Sequence, residues 1–176
     1  MSTALLIIDV QQILCKGPCA VADIKGVLTR INHLSADARD AGVPVILVQH
    51  EEDEGPMQVD AEGWQLAQDL EVRHDDLKIR KTTPDSFHKT ELNLQLQSRD
   101  ITRLVICGMQ SDFCVDTTVR RALSLGFEVV LVADAHSTLD NSVLTARQII
   151  NHHNATLAHF GPKISVIKTA EVVFEH

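Results

Sequence analysis

Short runs of branched apolar residues recur along the chain, and longer amphipathic stretches separate them. The first run is Ala4–Ile8 (ALLII), and four others have the same character: Val45–Val48, Leu104–Cys107, Val129–Val132 and Ile164–Ile167. An apolar run without polar alternation is typical of a strand buried on both faces, as in a parallel sheet covered by helices. Leu77–Lys81 alternates instead and predicts a short additional strand.

Amphipathic segments fill the spaces between these runs. From about residue 21 to 41 the apolar residues follow helical spacing, and Gly42 occupies the position that favours a left-handed helix end. Further helices are predicted over 64–70, through Leu96 with Thr90 or Asp85 as the cap, over 114–125 and over about 142–159. Alternating strands and helices predict one α/β domain over residues 1–176, with three αβα layers and a mainly parallel, doubly wound sheet of about six strands.

Composition excludes several classes of function. The formal charge is −8, from 24 acidic and 16 basic residues, and aromatic residues make up 3% of the chain with no Tyr. Nucleic-acid binding depends on Lys and Arg at phosphates and on aromatic stacking, so no nucleic-acid partner is expected. No apolar run approaches the ~20 residues that span a bilayer, and the first residues do not resemble a signal peptide. These features predict a cytoplasmic protein, without a membrane partner, that acts on a small molecule.

Polar residues follow several of the predicted strands at the edge where parallel sheets bind ligands. Asp9 follows the first strand, His50 the second and Lys81 the short one. Cys114 comes after the next strand, at the start of a predicted helix, where unpaired N–H groups and the helix dipole favour a thiolate. A thiol, a carboxylate and an ammonium brought together form a nucleophile, a proton acceptor and a charge stabiliser.

The oxyanion that forms when a thiolate attacks a carbonyl group needs hydrogen-bond donors nearby. The backbone N–H groups of Gln110 and Cys114 are the predicted donors, because they lie in the turn and at the helix start. The core-packing alternative for Cys114 is outweighed by its setting and by Asp9 and Lys81. Cys107 lies inside an apolar strand and is interpreted as core.

Four motifs together resemble the isochorismatase-like cysteine hydrolases, a family that includes nicotinamidases and N-carbamoylsarcosine amidases. They are LLIIDVQ around Asp9, the Lys81 segment with Ser86-Phe87 after it, GMQSDFCV around Cys114, and GFEVVLVADA. They occur in family order from residue 4 to about 167. The resemblance implies an Asp9–Lys81–Cys114 triad, a covalent intermediate in the amidases, and a cis peptide at Met109-Gln110.

One part of the chain departs from the nicotinamidase pattern. Those members carry an Asp and several His residues after the second strand that bind a divalent metal, whereas here Gln49 stands where the ligand Asp is expected and His50 has no second His nearby. We therefore expect no metal and no cofactor. An amide or related C–N bond is the predicted substrate bond. The alternatives are vinyl-ether hydrolysis of the isochorismatase type and a non-catalytic or redox-sensing protein.

Substrate contacts are predicted at four positions beside the pocket: His50, Phe87, Gln12 and Phe113. The acidic run from Glu51 to Glu54 is interpreted as a solvated loop. Cys15 and Cys19 are interpreted as thiols of a flexible loop near the active site, because no second pair completes a metal site. Family members commonly form dimers or tetramers, so a homo-oligomer is expected.

Overall fold

The computed structural model describes residues 2–174. Its strands are β1 Thr3–Ile8, β2 Val45–His50, β3 Leu77–Lys81, β4 Arg103–Met109, β5 Glu128–Ser137 and β6 Ile164–Ile167. Its α-helices are α1 Gln12–Cys15, α2 Ile24–Asp40, α3 Leu92–Gln97, α4 Asp116–Ser124 and α5 Ala146–Leu157. No helix within residues 2–174 combines the length and the apolar character that crossing a bilayer requires.

All six strands form one parallel sheet in the order β3-β2-β1-β4-β5-β6. The prediction of a doubly wound α/β domain is confirmed, and the sheet is wholly parallel. The strand order reverses between β1 and β4, which is where open α/β sheets form a crevice for ligands. The chain segments that follow β1 and β4 therefore border that crevice.

Two apolar cores cover the two faces of the sheet. In β1, Leu5 and Ile7 pack with α2 on one face, while Leu6 and Ile8 pack with α3, α4 and α5 on the other. Successive side chains of a strand point to opposite faces, so a run buried on both sides has no polar position. Each fully buried Leu or Ile contributes about 1.5–3 kcal/mol relative to an exposed one, and the core therefore holds the strand ends rigidly.

The helix predicted over 64–70 is absent, and only a 3₁₀ turn over Glu62–Trp64 forms there. The following residues pair with the chain after β1 instead: Gln12 donates its N–H to the carbonyl of Gln65, and Ala67 donates to Val10. Extended pairing uses the backbone groups that a helix would need for itself. Tertiary contacts therefore overrode the local pattern.

The last long helix begins later than predicted. Asn141 accepts hydrogen bonds from the N–H groups of Val143 and Leu144, which form a turn, and α5 begins only after Thr145. Val143, which lies within the predicted helix, is exposed. The side chains of Thr145 and Gln148 form a capping box, which fixes the helix start because it satisfies two backbone donors that would otherwise be unpaired.

Cys114 does not open an α-helix directly. Residues Ser111–Val115 form a π-helical turn in which the N–H of Val115 reaches the carbonyl of Gln110, and α4 continues from Asp116. A π turn contains one residue more than an α turn, and such turns often lie at functional sites. The helix predicted over 114–125 is present from residue 116 onward.

Candidate active site

Asp9, Lys81 and Cys114 meet at the carboxyl edge of the sheet. The ammonium Nζ of Lys81 lies 2.7 Å from Oδ2 of Asp9 and 3.2 Å from Sγ of Cys114. Asp9 is 2% exposed and so is Lys81, so this ion pair is removed from water. Low polarity around a charged pair strengthens its electrostatic interactions. The three residues that the sequence grouped are therefore brought together.

The lysine also contacts the residue at the end of β2. Its Nζ lies 3.4 Å from Nδ1 of His50, which pairs with Lys81 in the sheet register. Because an ammonium group only donates, Nδ1 of His50 must accept and the proton must reside on Nε2. Burial lowers the pKa of His50, and the Lys81 cation lowers it further, so the imidazole is neutral at neutral pH.

One oxygen of Asp9 has no hydrogen-bond partner within residues 2–174. Oδ2 accepts from Lys81, whereas the buried Oδ1 is unpaired. A buried acceptor without a donor is costly, and such groups are concentrated at functional sites. The free oxygen is suited to accept a proton inside the crevice.

Cys114 is a neutral thiol in the free protein. Burial raises its pKa to about 12, and the negative charge of Asp9 adds to that effect, while the Lys81 cation works in the opposite direction. This corrects the expectation that the turn and the helix dipole leave a resting thiolate. A thiolate can form here only when the proton leaves for an acceptor, and the carboxylate of Asp9 is close enough to Cys114 to be a candidate.

A cavity of about 240 Å³ opens beside the thiol. Its lining comprises Asp9, Leu14, His50, Glu52, Met57, Pro84, Gln110, Phe113 and Cys114. Four of the residues predicted for substrate or oxyanion contacts thus border this cavity: His50, Gln110, Phe113 and Cys114. The lining also includes Glu52, which the sequence does not predict there because its acidic run is typical of a solvated loop.

Phe87 and Gln12 do not line this cavity. Phe87 is buried and packs against Phe127 with ring centroids 5.9 Å apart, so it belongs to the core beneath the site. Gln12 borders a separate cavity of about 390 Å³. Both residues follow strand ends as predicted, but the direction of a side chain after a strand depends on the turn.

Gln11 is a further residue that the sequence reasoning missed. Its amide nitrogen donates to the carbonyls of His50 (2.9 Å) and Trp64 (2.8 Å), and its oxygen accepts from the N–H of His50 (2.9 Å). This fully buried amide ties the ends of β1 and β2 to the loop above the cavity. The only available signal was its place at the end of the LLIIDVQ motif.

The end of β4, just before the turn that leads to Cys114, requires a glycine. Gly108 has φ of +117°, and a Cβ atom there would clash with the backbone of Ile8. Only glycine adopts this conformation readily and allows such a close approach. One residue further along the chain, the peptide bond between Met109 and Gln110 is cis, as the resemblance implied.

Comparison with known proteins decides the family. The sequence matches the Isochorismatase domain over residues 3–159, which is most of the chain. The chain belongs to the isochorismatase family of hydrolases.

Individual relatives of the chain support the same family assignment. Streptothricin hydrolase of Streptomyces noursei is 41% identical over 140 residues, which cover 78% of this chain and 50% of that protein. The chain thus spans about half the length of that relative. The uncharacterized isochorismatase family protein YddQ of Bacillus subtilis (strain 168) is 31% identical over 180 residues, covering 97% of this chain and 98% of YddQ.

A solved structure supports the same assignment. The crystal structure of an isochorismatase family protein superposes with a TM-score of 0.86 at 37% identity, covering 94% of this chain and 98% of that one. The fold and the family are therefore established by independent comparisons.

The residues around the site do not fit the metal of the nicotinamidase-like members. Gln49, at the expected position of the ligand Asp, is buried and donates its amide to the carbonyl of Trp64 at 3.2 Å. Within residues 2–174, no group of three or more His, Cys, Asp and Glu side chains is placed to hold a metal ion.

A series of buried and partly buried hydrogen bonds holds the turn that carries Cys114 in place. Asn154 donates to the carbonyl of Ala133 at 2.9 Å, so its oxygen accepts from Nε2 of His136 at 2.9 Å. Nδ1 of His136 must then accept the hydroxyl proton of Ser111 at 2.7 Å. Ser111 begins the π turn, and neutral His136 thus anchors it to β5 and α5.

Stability is expected to fall in mild acid because of His136. Burial lowers its pKa from 6.5 to about 4, so the unfolded chain binds a proton below pH 6.5 that the folded chain refuses until about pH 4. The free energy of unfolding therefore falls as the pH decreases through this window, by about 3 kcal/mol in total. Urea unfolding at a series of pH values measures this loss.

The comparison with His136→Gln isolates this group from the carboxylates that titrate nearby. The variant should lose less stability between pH 7 and pH 4 than the parent protein does. His74→Gln is the matched control, because His74 has a 98% exposed side chain, and it should reproduce the parent profile. Identical profiles for the parent and His136→Gln would contradict the prediction.

Proposed function

We propose that the protein is a cysteine hydrolase that cleaves an amide or related C–N bond of a small molecule. The observation that carries the proposal is the placement of one buried ammonium, on Lys81, within hydrogen-bonding distance of both Asp9 and Cys114. A nucleophile and its proton acceptor thereby border one cavity, and a fixed cation contacts both of them. This is the arrangement that covalent catalysis by a cysteine requires.

The first half-reaction forms an acyl-enzyme. The thiol proton of Cys114 passes to the free oxygen of Asp9 as Sγ attacks the carbonyl carbon of the substrate. The carbonyl oxygen becomes an oxyanion, which the backbone N–H groups of Gln110 and Cys114 stabilise. Asp9 then returns the proton to the nitrogen of the leaving amine, the C–N bond breaks, and a thioester remains on Cys114.

The second half-reaction uses water. Asp9, again a carboxylate, accepts a proton from a water molecule that attacks the thioester carbon. The tetrahedral intermediate collapses, the C–S bond breaks, and the proton returns to the sulfur as the acid product leaves. Lys81 keeps its charge throughout, and its field stabilises both the ionised carboxylate of Asp9 and the transient thiolate.

The raised pKa of Cys114 weighs against a redox-sensing role. Sensor cysteines have low pKa values and are exposed, because the thiolate is the species that oxidants attack. Cys114 is half-buried, and its pKa is raised. Proton transfer to Asp9 during the reaction suits a hydrolase in which the thiol stays protonated, and therefore resistant to oxidation, until substrate binds. The related streptothricin hydrolase is, by its name, also a hydrolase.

A panel of small amides, ureido acids, nicotinamide and isochorismate tests the proposal. The protein should release amine or ammonia from at least one amide or ureido compound. Acid quenching followed by mass spectrometry should show an acyl adduct confined to the peptide that contains Cys114. Hydrolysis of isochorismate alone, without an adduct, would instead establish the vinyl-ether reaction.

A further inference from the structure

We propose that Glu52 selects substrates whose non-reacting end carries a cation, an ammonium or a guanidinium group. The inference rests on the proposed function, because it concerns the cavity beside Cys114. It names the chemical class of the substrate and the residue that recognises it.

The loop that follows β2 fixes Glu52 at the cavity. The backbone N–H of Glu52 donates to the carbonyl of Met57 at 3.0 Å, and Glu52 also forms an isolated bridge with Gln58. Glu52 and Met57 both line the cavity. The side chain of Glu52 is 52% exposed, so its carboxylate borders both the cavity and the solvent. A carboxylate on an anchored backbone loses less freedom on binding than one on a free loop.

The negative charge of Glu52 is not balanced by the residues around it. Its neighbour Glu51 forms an ion pair with Arg80, whereas within residues 2–174 the nearest basic group to Glu52 is Nε2 of His50 at 3.7 Å. That histidine is neutral, because burial and the Lys81 cation lower its pKa. A distance of 3.7 Å is also too long for a hydrogen bond. Glu52 is thus a free anion at the mouth of the cavity.

The other lining residues define the rest of the recognised molecule. Within residues 2–174, the lining of the cavity contains two carboxylates, those of Asp9 and Glu52, and no Lys or Arg side chain. Asp9 is already paired with Lys81, so one negative charge remains for a ligand. An anionic substrate would be repelled by this charge and by the net charge of −8 of the whole chain.

Much of the cavity lining is apolar. Leu14, Met57, Pro84 and Phe113 line the cavity, and Phe113 is 54% exposed. An aromatic ring in the same cavity also favours a cation, through attraction to its π face. A volume of about 240 Å³ lies below the usual range for drug-sized ligands. The site therefore fits a small, slender amide with an apolar linker and a cationic end.

Three matched amides test the proposal because they differ only at the far end. They are the amide of ε-aminocaproic acid, hexanamide and the monoamide of adipic acid, which end in an ammonium, a methyl and a carboxylate group. We expect kcat/KM to be about tenfold higher for the ammonium compound than for hexanamide, as for one charge-assisted contact. The carboxylate compound should be the poorest substrate.

Glu52→Gln should remove most of that tenfold preference, measured as the ratio of kcat/KM for the ammonium compound to kcat/KM for hexanamide. Glu54→Gln is the matched control, because Glu54 belongs to the same acidic run, is exposed and does not line the cavity. It should keep the preference. Equal preference in the parent protein and Glu52→Gln, or a parent protein that prefers hexanamide, overturns the role of Glu52.

The role of Glu52 can be tested separately from the proposed cysteine hydrolase activity. If Cys114-dependent hydrolysis occurs without a charge preference, the cysteine hydrolase stands and the role of Glu52 fails. If none of the three amides is cleaved, calorimetry on Cys114→Ala measures their binding directly. About tenfold tighter binding of the ammonium compound, lost when Glu52→Gln is added, supports the proposal, whereas equal or undetectable binding overturns it.

Discussion

Cys114→Ala is expected to lower kcat/KM on the best amide substrate by a factor on the order of 10⁴ or more. Without the thiol no acyl-enzyme can form, and loss of a catalytic nucleophile removes nearly all of the covalent rate enhancement. Folding should be retained, because the half-buried side chain loses only its sulfur atom. Steady-state kinetics and thermal unfolding of the same preparation measure the two effects.

Cys19→Ala is the matched control for this experiment. Cys19 is an exposed free thiol in the loop after β1 and does not line the cavity beside Cys114. Its replacement should leave activity within about twofold of the parent value. The unfolding temperature should stay within about one degree, as for a surface substitution. Near-normal turnover by Cys114→Ala would refute the assignment of the nucleophile.

Lys81→Met is expected to lower the free energy of unfolding by about 3–5 kcal/mol. Methionine is close to lysine in length, so packing changes little, but Asp9 remains as a buried carboxylate without its counter-ion. Activity should fall at least about 100-fold, because the fixed positive charge beside the sulfur is lost. Urea unfolding and kinetics of the variant provide both numbers.

Two further variants separate charge from structure. Lys78→Met alters an exposed lysine of the same strand and should change stability by less than about 0.5 kcal/mol. Asp9→Asn combined with Lys81→Met removes both charges and should recover much of the lost stability, because a neutral buried pair needs no counter-ion. That double variant should remain inactive. An active double variant would show that neither group takes part in the chemistry.

Sequence patterns predicted the sheet because its strands are buried on both faces. Runs such as Ala4–Ile8 and Val45–Val48 have no solvent-facing position, so their signal does not depend on the rest of the fold. The site followed from the same pattern, since Asp9, Lys81 and Cys114 all come at or just after the end of a strand. Parallel strands bring those ends to one edge irrespective of loop details.

The errors arose where a backbone or side chain depends on distant partners. Residues 65–67 carry a helical pattern but pair with the chain after β1, so no helix forms. Phe87 and Gln12 were assigned to the pocket from their place in the chain, yet Phe87 packs in the core and Gln12 turns to another cavity. Turn geometry directs these side chains, and it is set by packing.

The order of strands, helices and reactive groups was determined by the sequence alone, because hydrophobic periodicity and strand ends are local properties. The tertiary structure decided which of two adjacent residues makes a given contact: Gln11 rather than Gln12 ties the strand ends together, and Glu51 rather than Glu52 pairs with Arg80, while Glu52 lines the cavity. It also decided the ionisation of Cys114. A pKa is set by burial and by the distance to Asp9 and Lys81, and these exist only once the strands have assembled.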